Sequence, residues 1–182
     1  MSKIVTVPSH ILRQVAKPVT SLDTRIQKIL QDMEKALKAA KKPQGVGLAA
    51  PQIGVSLRIF MIRPQPRGKI TVFINPEITN YSQRRQSPTS KKGIYEGCLS
   101  LPDHYAPVTR SASVTITYQT PKLPSTMNYE LITKTEVFSD FPAHVIQHEM
   151  DHLNGILFID HVLEQNSKLF RVSGDSWEEV TL

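Results

Sequence analysis

Only one cysteine, Cys98, occurs in 182 residues. That excludes an internal disulfide and fits a reducing compartment. No apolar run approaches the ~20 residues a membrane-spanning helix needs, and Met1 to His10 contains no apolar signal core. The compartment expected is the cytoplasm. Acids are scarcer than bases, 16 against 22 for a formal charge of +6. This excess reads as a solvated basic surface, with contact to an acidic partner such as ribosomal RNA as the alternative. There is no basic–aromatic stripe and no recognition motif, so specific nucleic-acid reading is not expected. Internal repeats are also missing. What remains is an ordinary globular composition, 40% apolar and 21% charged, in a length that suits one domain over residues 1–182.

The chemistry starts at Gln147-His148-Glu149-Met150-Asp151-His152. Histidines four apart on a helix share one face, about 6 Å apart along the axis, so both rings can turn onto one metal ion. Glu149 stands beside the first of them, where a carboxylate can take a proton from a water whose pKa a metal lowers. Ser139 or Asp140 can cap this helix, Pro142 lies in its first turn, and Gly155 can end it. The plain alternative is two histidines and an acid on a solvated helix. A catalytic metal wants a third protein ligand. The longer pattern H-E-x-x-H-x-x-G-x-x-H matches at Gly155 but has Phe158 at its last histidine. Glu164, Glu178 and Glu179 are downstream candidates. Cys98, fifty residues upstream in Glu96-Gly97-Cys98-Leu99-Ser100, is the other, since a thiolate suits zinc or ferrous iron.

Elsewhere the chain carries structural signals. Pro8-Ser9-His10 opens a short turn or helix. Asp23 caps a predicted helix whose Ile26, Ile29, Leu30, Met33 and Leu37 form a core stripe, ended by Lys41-Lys42-Pro43. Strands are expected at Arg58 to Arg63 and at Ile70 to Ile74, the second stopped by Asn75-Pro76. Ser82 to Gly93, with four bases and no acid, reads as a mobile loop. Ser113 to Tyr118 alternates as a half-buried strand, Pro121 to Ser125 turns, and Met127 to Val137 supplies the partner strand. After Ile159 the pattern weakens to one short terminal strand within Ser173 to Leu182. The fold class expected is α+β, with short antiparallel sheets packed around a central metal-bearing helix.

A third segment joins the two already named: Gly45-Val46-Gly47-Leu48-Ala49-Ala50-Pro51-Gln52. With Glu-Gly-Cys-Leu-Ser and Gln-His-Glu-Met-Asp-His-Leu, it resembles the three signature motifs of the peptide deformylase family, in their order. Ile11 to Val19 is similar to that family's opening segment, so the resemblance runs from about residue 5 to about residue 162. It implies removal of the formyl group from N-terminal formyl-methionine, with nascent peptides as partners and formate as product. It implies one divalent ion, natively Fe2+ with Zn2+, Ni2+ or Co2+ as substitutes, held by Cys98, His148 and His152. It assigns proton transfer to Glu149, and oxyanion donation to the Gln52 amide and the Leu99 N–H. Val46, Gly47 and Gly97 would bind an extended substrate backbone, with Gly45 easing its approach. Val46, Ile94, Phe141 and Val145 would line the methionine pocket and His144 would fall at its rim; Glu96 would count among the substrate-binding residues, while its ion pair with Arg110 would fix the loop that aims the thiolate. Tyr105 stands where some members carry arginine near the substrate's exit. Two other classes fit the same residues. A zincin-type amide hydrolase would share the histidine pair, and a blue-copper site would use two histidines and a cysteine but have no use for Glu149.

Overall fold

Asp23 opens the first helix of the computed structural model, which describes residues 3–41, 44–65, 67–86, 95–122 and 130–181. Its carboxylate accepts from the Ile26 N–H at 2.9 Å, and helix α1 follows over Thr24–Ala39. Its stripe of Ile26, Met33, Ala36 and Leu37 is buried against Leu48, Ile59, Met61 and Ile74. A short 3-10 turn at His10–Arg13 precedes it, as Pro8-Ser9-His10 predicts.

After α1 come β1 (Gly47–Ala49), a 3-10 turn over Ala50–Ile53, β2 (Ile59–Ile62) and β3 (Thr71–Tyr81). The sequence predicts a stop at Asn75-Pro76, but β3 runs through both. A bulge between Ile74 and Glu77 absorbs the proline, whose missing N–H a regular ladder could not accommodate. Asn75 takes a positive φ of 49° and is tied down by its amide, which accepts from the Val19 N–H at 2.8 Å and donates to the Val19 carbonyl at 2.7 Å.

The polar stretch after β3 is only partly a loop. Arg85–Gln86 forms β4, held by side-chain bonds from Arg85 to the Thr109 carbonyl and from Gln86 to the carbonyls of Ser111 and Asp140. Residues 87–93 of that stretch, and Ile94, lie outside the described residues. There follow β5 (Glu96–Cys98), β6 (Leu101–Ala106), β7 (Arg110–Ser111), β8 (Ser113–Pro121) and β9 (Leu131–Ser139). Val114, Ile116 and Tyr118 alternate inward on β8, and residues 123–129 of the expected turn and strand start are outside the described set. Helices α2 (Asp140–Leu153) and α3 (Phe158–Glu164) precede a terminal hairpin of β10 (Leu169–Ser173) and β11 (Ser176–Val180). The single terminal strand expected is thus a helix and two strands. Only Phe158 and Val162 mark the inner side of α3, too short a period to read in sequence.

All pairings within the sheets are antiparallel. One sheet runs β1-β2-β3-β8-β9, the second β11-β10-β6-β5, and a small third pairs β4 with β7. This is the α+β arrangement expected, with α2 at its centre. Ala143, Ile146, Met150 and Leu153 of α2 pack on the five-stranded sheet, where Phe60 stacks on Phe73 at 4.5 Å and Tyr118 lies 4.2 Å beyond. Burying each such ring contributes about 1.5–3 kcal/mol. The four-stranded sheet turns Cys98, Ala106 and Leu169 toward Phe158 and Val162 of α3. Among the described residues, no helix is long and apolar enough to cross a membrane.

The ends of α2 differ from expectation at one side. Ser139 makes no side-chain cap, and Asp140 instead takes a φ of 56°, its N–H donating to the Ala112 carbonyl at 2.8 Å. The sharp turn from β9 into the helix leaves no room for an ordinary cap. At the other end Gly155 does stop the helix, with φ of 73°. The Ile156 N–H reaches back to the Asp151 carbonyl at 3.0 Å, closing a Schellman motif. A Cβ at Gly155 would lie 2.5 Å from the Arg13 carbonyl oxygen, so the same glycine docks the helix end on the N-terminal turn. Gly155→Ala should therefore lower stability by about 2–3 kcal/mol, combining left-handed strain with a backbone clash. An unchanged urea midpoint would contradict this.

Candidate metal centre

Helical spacing sets the His148 and His152 rings 4.8 Å apart on one side of α2. Strand β5 brings Cys98 to the same point. A register shift between Gly97 and Cys98 interrupts its pairing with β6, the kind of bulge that re-aims a side chain. The Cys98 Sγ lies 3.2 Å from His152 Nε2, and one ligand atom from each of Cys98, His148 and His152 falls within 4.8 Å of the others. All three are buried. The downstream acids are elsewhere: Glu164 bonds His161 on the surface, and Glu179 bonds Lys168 at 2.7 Å.

Beneath the ligands lies a buried carboxylate. Glu96 receives Arg110 through two bonds of 2.7 Å, and its Oε1 is 2.6 Å from His148 Nδ1. With Nδ1 so engaged, the Nε2 of His148 is left for a metal. The His144 Nε2 also lies 2.6 Å from Glu96 Oε2, although it is not aligned for a hydrogen bond. Arg110 continues to Asp151 at 2.9 Å, and Asp151 to His161 at 2.9 Å. Burial would raise the Glu96 carboxyl, but Arg110 and the two histidines outweigh it and hold it well below the ordinary range.

The ligands bias one another toward their charged forms. Burial would raise the Cys98 thiol, yet the charges and hydrogen bonds of His152 and His148 bring it well below its usual value. Burial opposes the charge on His148, and Glu96 and Cys98 reverse that effect, raising its pKa well above ordinary. The sulfur accepts further from the Ser100 N–H and the Gln52 amide, each at 3.4 Å. Gln52 is aimed by its own oxygen, which accepts from the Ala49 N–H at 2.8 Å.

Glu149 completes the group. Its carboxylate lies over Gly47, where a Cβ would fall 2.2 Å from Oε1, so only glycine leaves room for it. Its Oε2 is buried without a hydrogen-bond partner. Burial pushes its pKa up to about 7, against the pull of His148 and His152. These features fit a divalent ion. A thiolate and two imidazoles are a donor set for zinc or ferrous iron, and the orphaned carboxylate oxygen beside them is an acceptor suited to a metal-bound water.

A model of the polypeptide deformylase family matches residues 1–168. The chain belongs to that family. It is 40% identical over 168 residues to the peptide deformylase of Bartonella tribocorum, an alignment covering 89% of this chain and 84% of the relative. Among solved structures it is similar to peptide deformylase from Thermotoga maritima, with TM-score 0.73, 34% identity, and coverage of 88% and 97% of the two chains. The Acinetobacter baumannii enzyme bound to Met-Ala-Ser matches with TM-score 0.70 and 32% identity, covering 88% of this chain and 99% of that one.

The cleft at this centre, about 160 Å³, is lined by residues that include Val46, Gly47, Gln52, Glu96, Gly97, Cys98, Leu99, Phe141, His144, Val145, His148 and Glu149. The expected site residues therefore meet, save Ile94, which lies outside the described residues. Two expectations change. His144 is buried against Glu96, not at a rim, because the carboxylate draws it inward. Glu96 faces the cleft, but its oxygens are already taken by Arg110 and His148, which leaves it a positioning residue. Gly45 and Gly97 also owe their identity to packing, against the Leu37 carbonyl and the Tyr105 ring respectively.

Sequence reasoning missed Ser100, Asp151 and Gln147. The Gln147 amide accepts from the Ser111 N–H at 3.0 Å and donates to the carbonyls of Ser111 and Ala143 at 2.9 Å, which clips α2 to β7. Only their places inside the motifs signalled them.

Glu96 titrates lower folded than unfolded. Its pairing thus adds stability above the ordinary carboxylate range and loses it as pH falls through the depressed folded value. Glu96→Gln should cost about 3–5 kcal/mol near neutral pH by removing the charge against which Arg110 and His148 are buried, a gap that narrows in strong acid. It should also weaken metal binding ~10–100-fold in a chelator competition. Equal urea midpoints for the two proteins at neutral pH would show that the network carries no stability.

Proposed function

We propose that Glu149 carries the proton while Cys98, His148 and His152 hold the ion, as the chain removes the formyl group from N-terminal formyl-methionine of newly made polypeptides. Water is consumed, and formate and a free amine are released. The observation that carries this reading is the Glu149 carboxylate, buried beside the three ligand atoms with one oxygen unengaged. When bound, the ion lowers the pKa of a water and polarises the formyl oxygen. We assign Fe2+ as the native ion, with Zn2+, Ni2+ or Co2+ as substitutes that suit the same donors. The compartment would be the cytoplasm, where formylated chains and the ribosome that makes them are met.

The chain's own groups supply the rest. Glu149, buried with Oε2 unengaged, would accept a proton there and return it to the leaving nitrogen. Gln52 Nε2 and the Leu99 N–H would donate to the oxygen that gains charge as the formyl carbon becomes tetrahedral. Substrate binding follows from topology. Strands β1 and β5 are each the edge of their sheet, and Gly47 and Gly97 on them both line the cleft. An extended peptide between the two edges can hydrogen-bond to the backbone of Val46, Gly47 and Gly97. Its methionine side chain would enter among Val46, Phe141 and Val145, with Ile94 assigned there by resemblance, and His144 behind them. The peptide bound by the Acinetobacter baumannii relative is Met-Ala-Ser, which supports a methionine-bearing peptide as the ligand.

Two outcomes are expected. Glu149→Ala should keep its metal and lose at least ~10²-fold in formate release, while Cys98→Ala should lose affinity for the ion as well. Bound metal and formate measured side by side decide this, and a metal-free Glu149→Ala beside an active Cys98→Ala would reverse the two roles. Formyl-methionyl peptides should also be cleaved far faster than acetyl-methionyl ones, whose extra methyl would sit where the formyl hydrogen points. Comparable rates on the two would reject the assignment.

A further inference from the structure

The four-stranded sheet has two unlike faces. Glu96, Cys98, Ala106 and Leu169 look inward, toward α2 and α3. Cross-strand partners share a face, so the pairs Gly97–Tyr105, Tyr105–Phe170 and Val172–Trp177 put all five on the outer one. There Trp177 meets Tyr95 at 5.2 Å, Tyr105 at 5.6 Å and Phe170 at 6.1 Å between ring centroids. Half of Trp177 remains exposed, an unusual position for the chain's single tryptophan. Trp177 and Phe170 belong to the terminal hairpin, which begins at residue 169, just past the 168 residues that the family model matches.

This aromatic layer is continuous with the cleft. Tyr95 and Tyr105 line both, and the Tyr105 ring lies so close to Gly97 that a Cβ there would fall 2.6 Å from it. Gly97 sits on the free edge at which substrate would pair. Side chains of an added strand alternate between faces. With methionine directed inward to Val46, Phe141 and Val145, the next side chain points outward, beside Tyr105 and Tyr95.

We propose that Tyr95, Tyr105 and Trp177 form an aromatic platform for the side chain of the residue that follows formyl-methionine, selecting aromatic and large apolar residues there. The proposal rests on deformylation as the reaction at this site. The residue after that turns inward again and escapes the platform. Trp177 acts from the hairpin by backing the two tyrosine rings and extending their area.

The test uses the metal-loaded full chain and two peptide series, formyl-Met-X-Ala and formyl-Met-Ala-X, with X as Phe, Leu, Gly or Asp. The wild type should favour Phe over Gly in the first series by roughly five-fold in kcat/KM, the size of an aromatic contact, and show little preference in the second. Trp177→Ala should bring the first ratio close to one, and Trp177→Phe should keep most of it. Bound metal and formate release from formyl-methionine amide, which has no second side chain, report separately whether the centre survives. A wild type without preference in the first series, or a Trp177→Ala that keeps the wild-type ratio, overturns the platform. So does a Trp177→Ala that dissociates a dimer on size exclusion and leaves the ratio unchanged, for the face would then serve a second copy. Failure of the wild type to release formate from any of these peptides would instead overturn the reaction itself.

Discussion

One buried carboxylate holds the centre together. Glu96 joins strand β5, which carries Cys98, to helix α2, which carries both histidines, and it does so through the Nδ1 of His148 and the guanidinium of Arg110. Neither element would find this position by apolar packing alone. Hydrophobic contact is non-directional, whereas a two-pronged arginine–carboxylate pair specifies both distance and angle. The charge is tolerated in a buried place because each oxygen of Glu96 meets both the arginine and a histidine. Arg110 is in turn answered by Asp151, so the charges run in alternation out to the partly buried His161.

The catalytic layout was legible in the sequence to the extent that it depends on spacing. His148 and His152 stand one helical turn apart wherever that helix goes, and Glu149 follows from them. Cys98 had to be chosen over Glu164, Glu178 and Glu179 by resemblance, since nothing local says which segment folds back onto the helix. The sheet that delivers Cys98 is built from strands as short as three residues, and such strands leave almost no periodic signal. Asn75-Pro76 misled for a related reason. The pair is a sound stop signal, but the Asn75 amide reaches Val19, far away in sequence, and that contact carries the strand onward. His144 looked like a rim residue because its partner, Glu96, lies nearly fifty residues upstream.

Placing the cleft between two sheet edges has a structural cost as well as a use. Free edges invite pairing with any extended chain. Here both are short, β1 and β5 having three residues each, and both sit where a buried carboxylate and a thiolate border the opening. A peptide that enters can pair for only a few residues, which suits an enzyme that must release each chain after acting on its first residue.

The Gln147 amide acts on helix α2 as a detent acts on a shaft. Its two bonds to Ser111 on β7 resist rotation of the helix about its own axis, while the third, to Ala143 of the same helix, holds the amide in place. Side chains reach roughly 6 Å from a helix axis, so a roll of about 20° would carry a ring atom sideways by about 2 Å. That displacement is as long as a metal–nitrogen bond, about 2 Å, and would take His148 and His152 out of reach of a shared ion together. Angular registration of one helix, set by a neutral side chain that touches no ligand, is therefore a second condition on the centre.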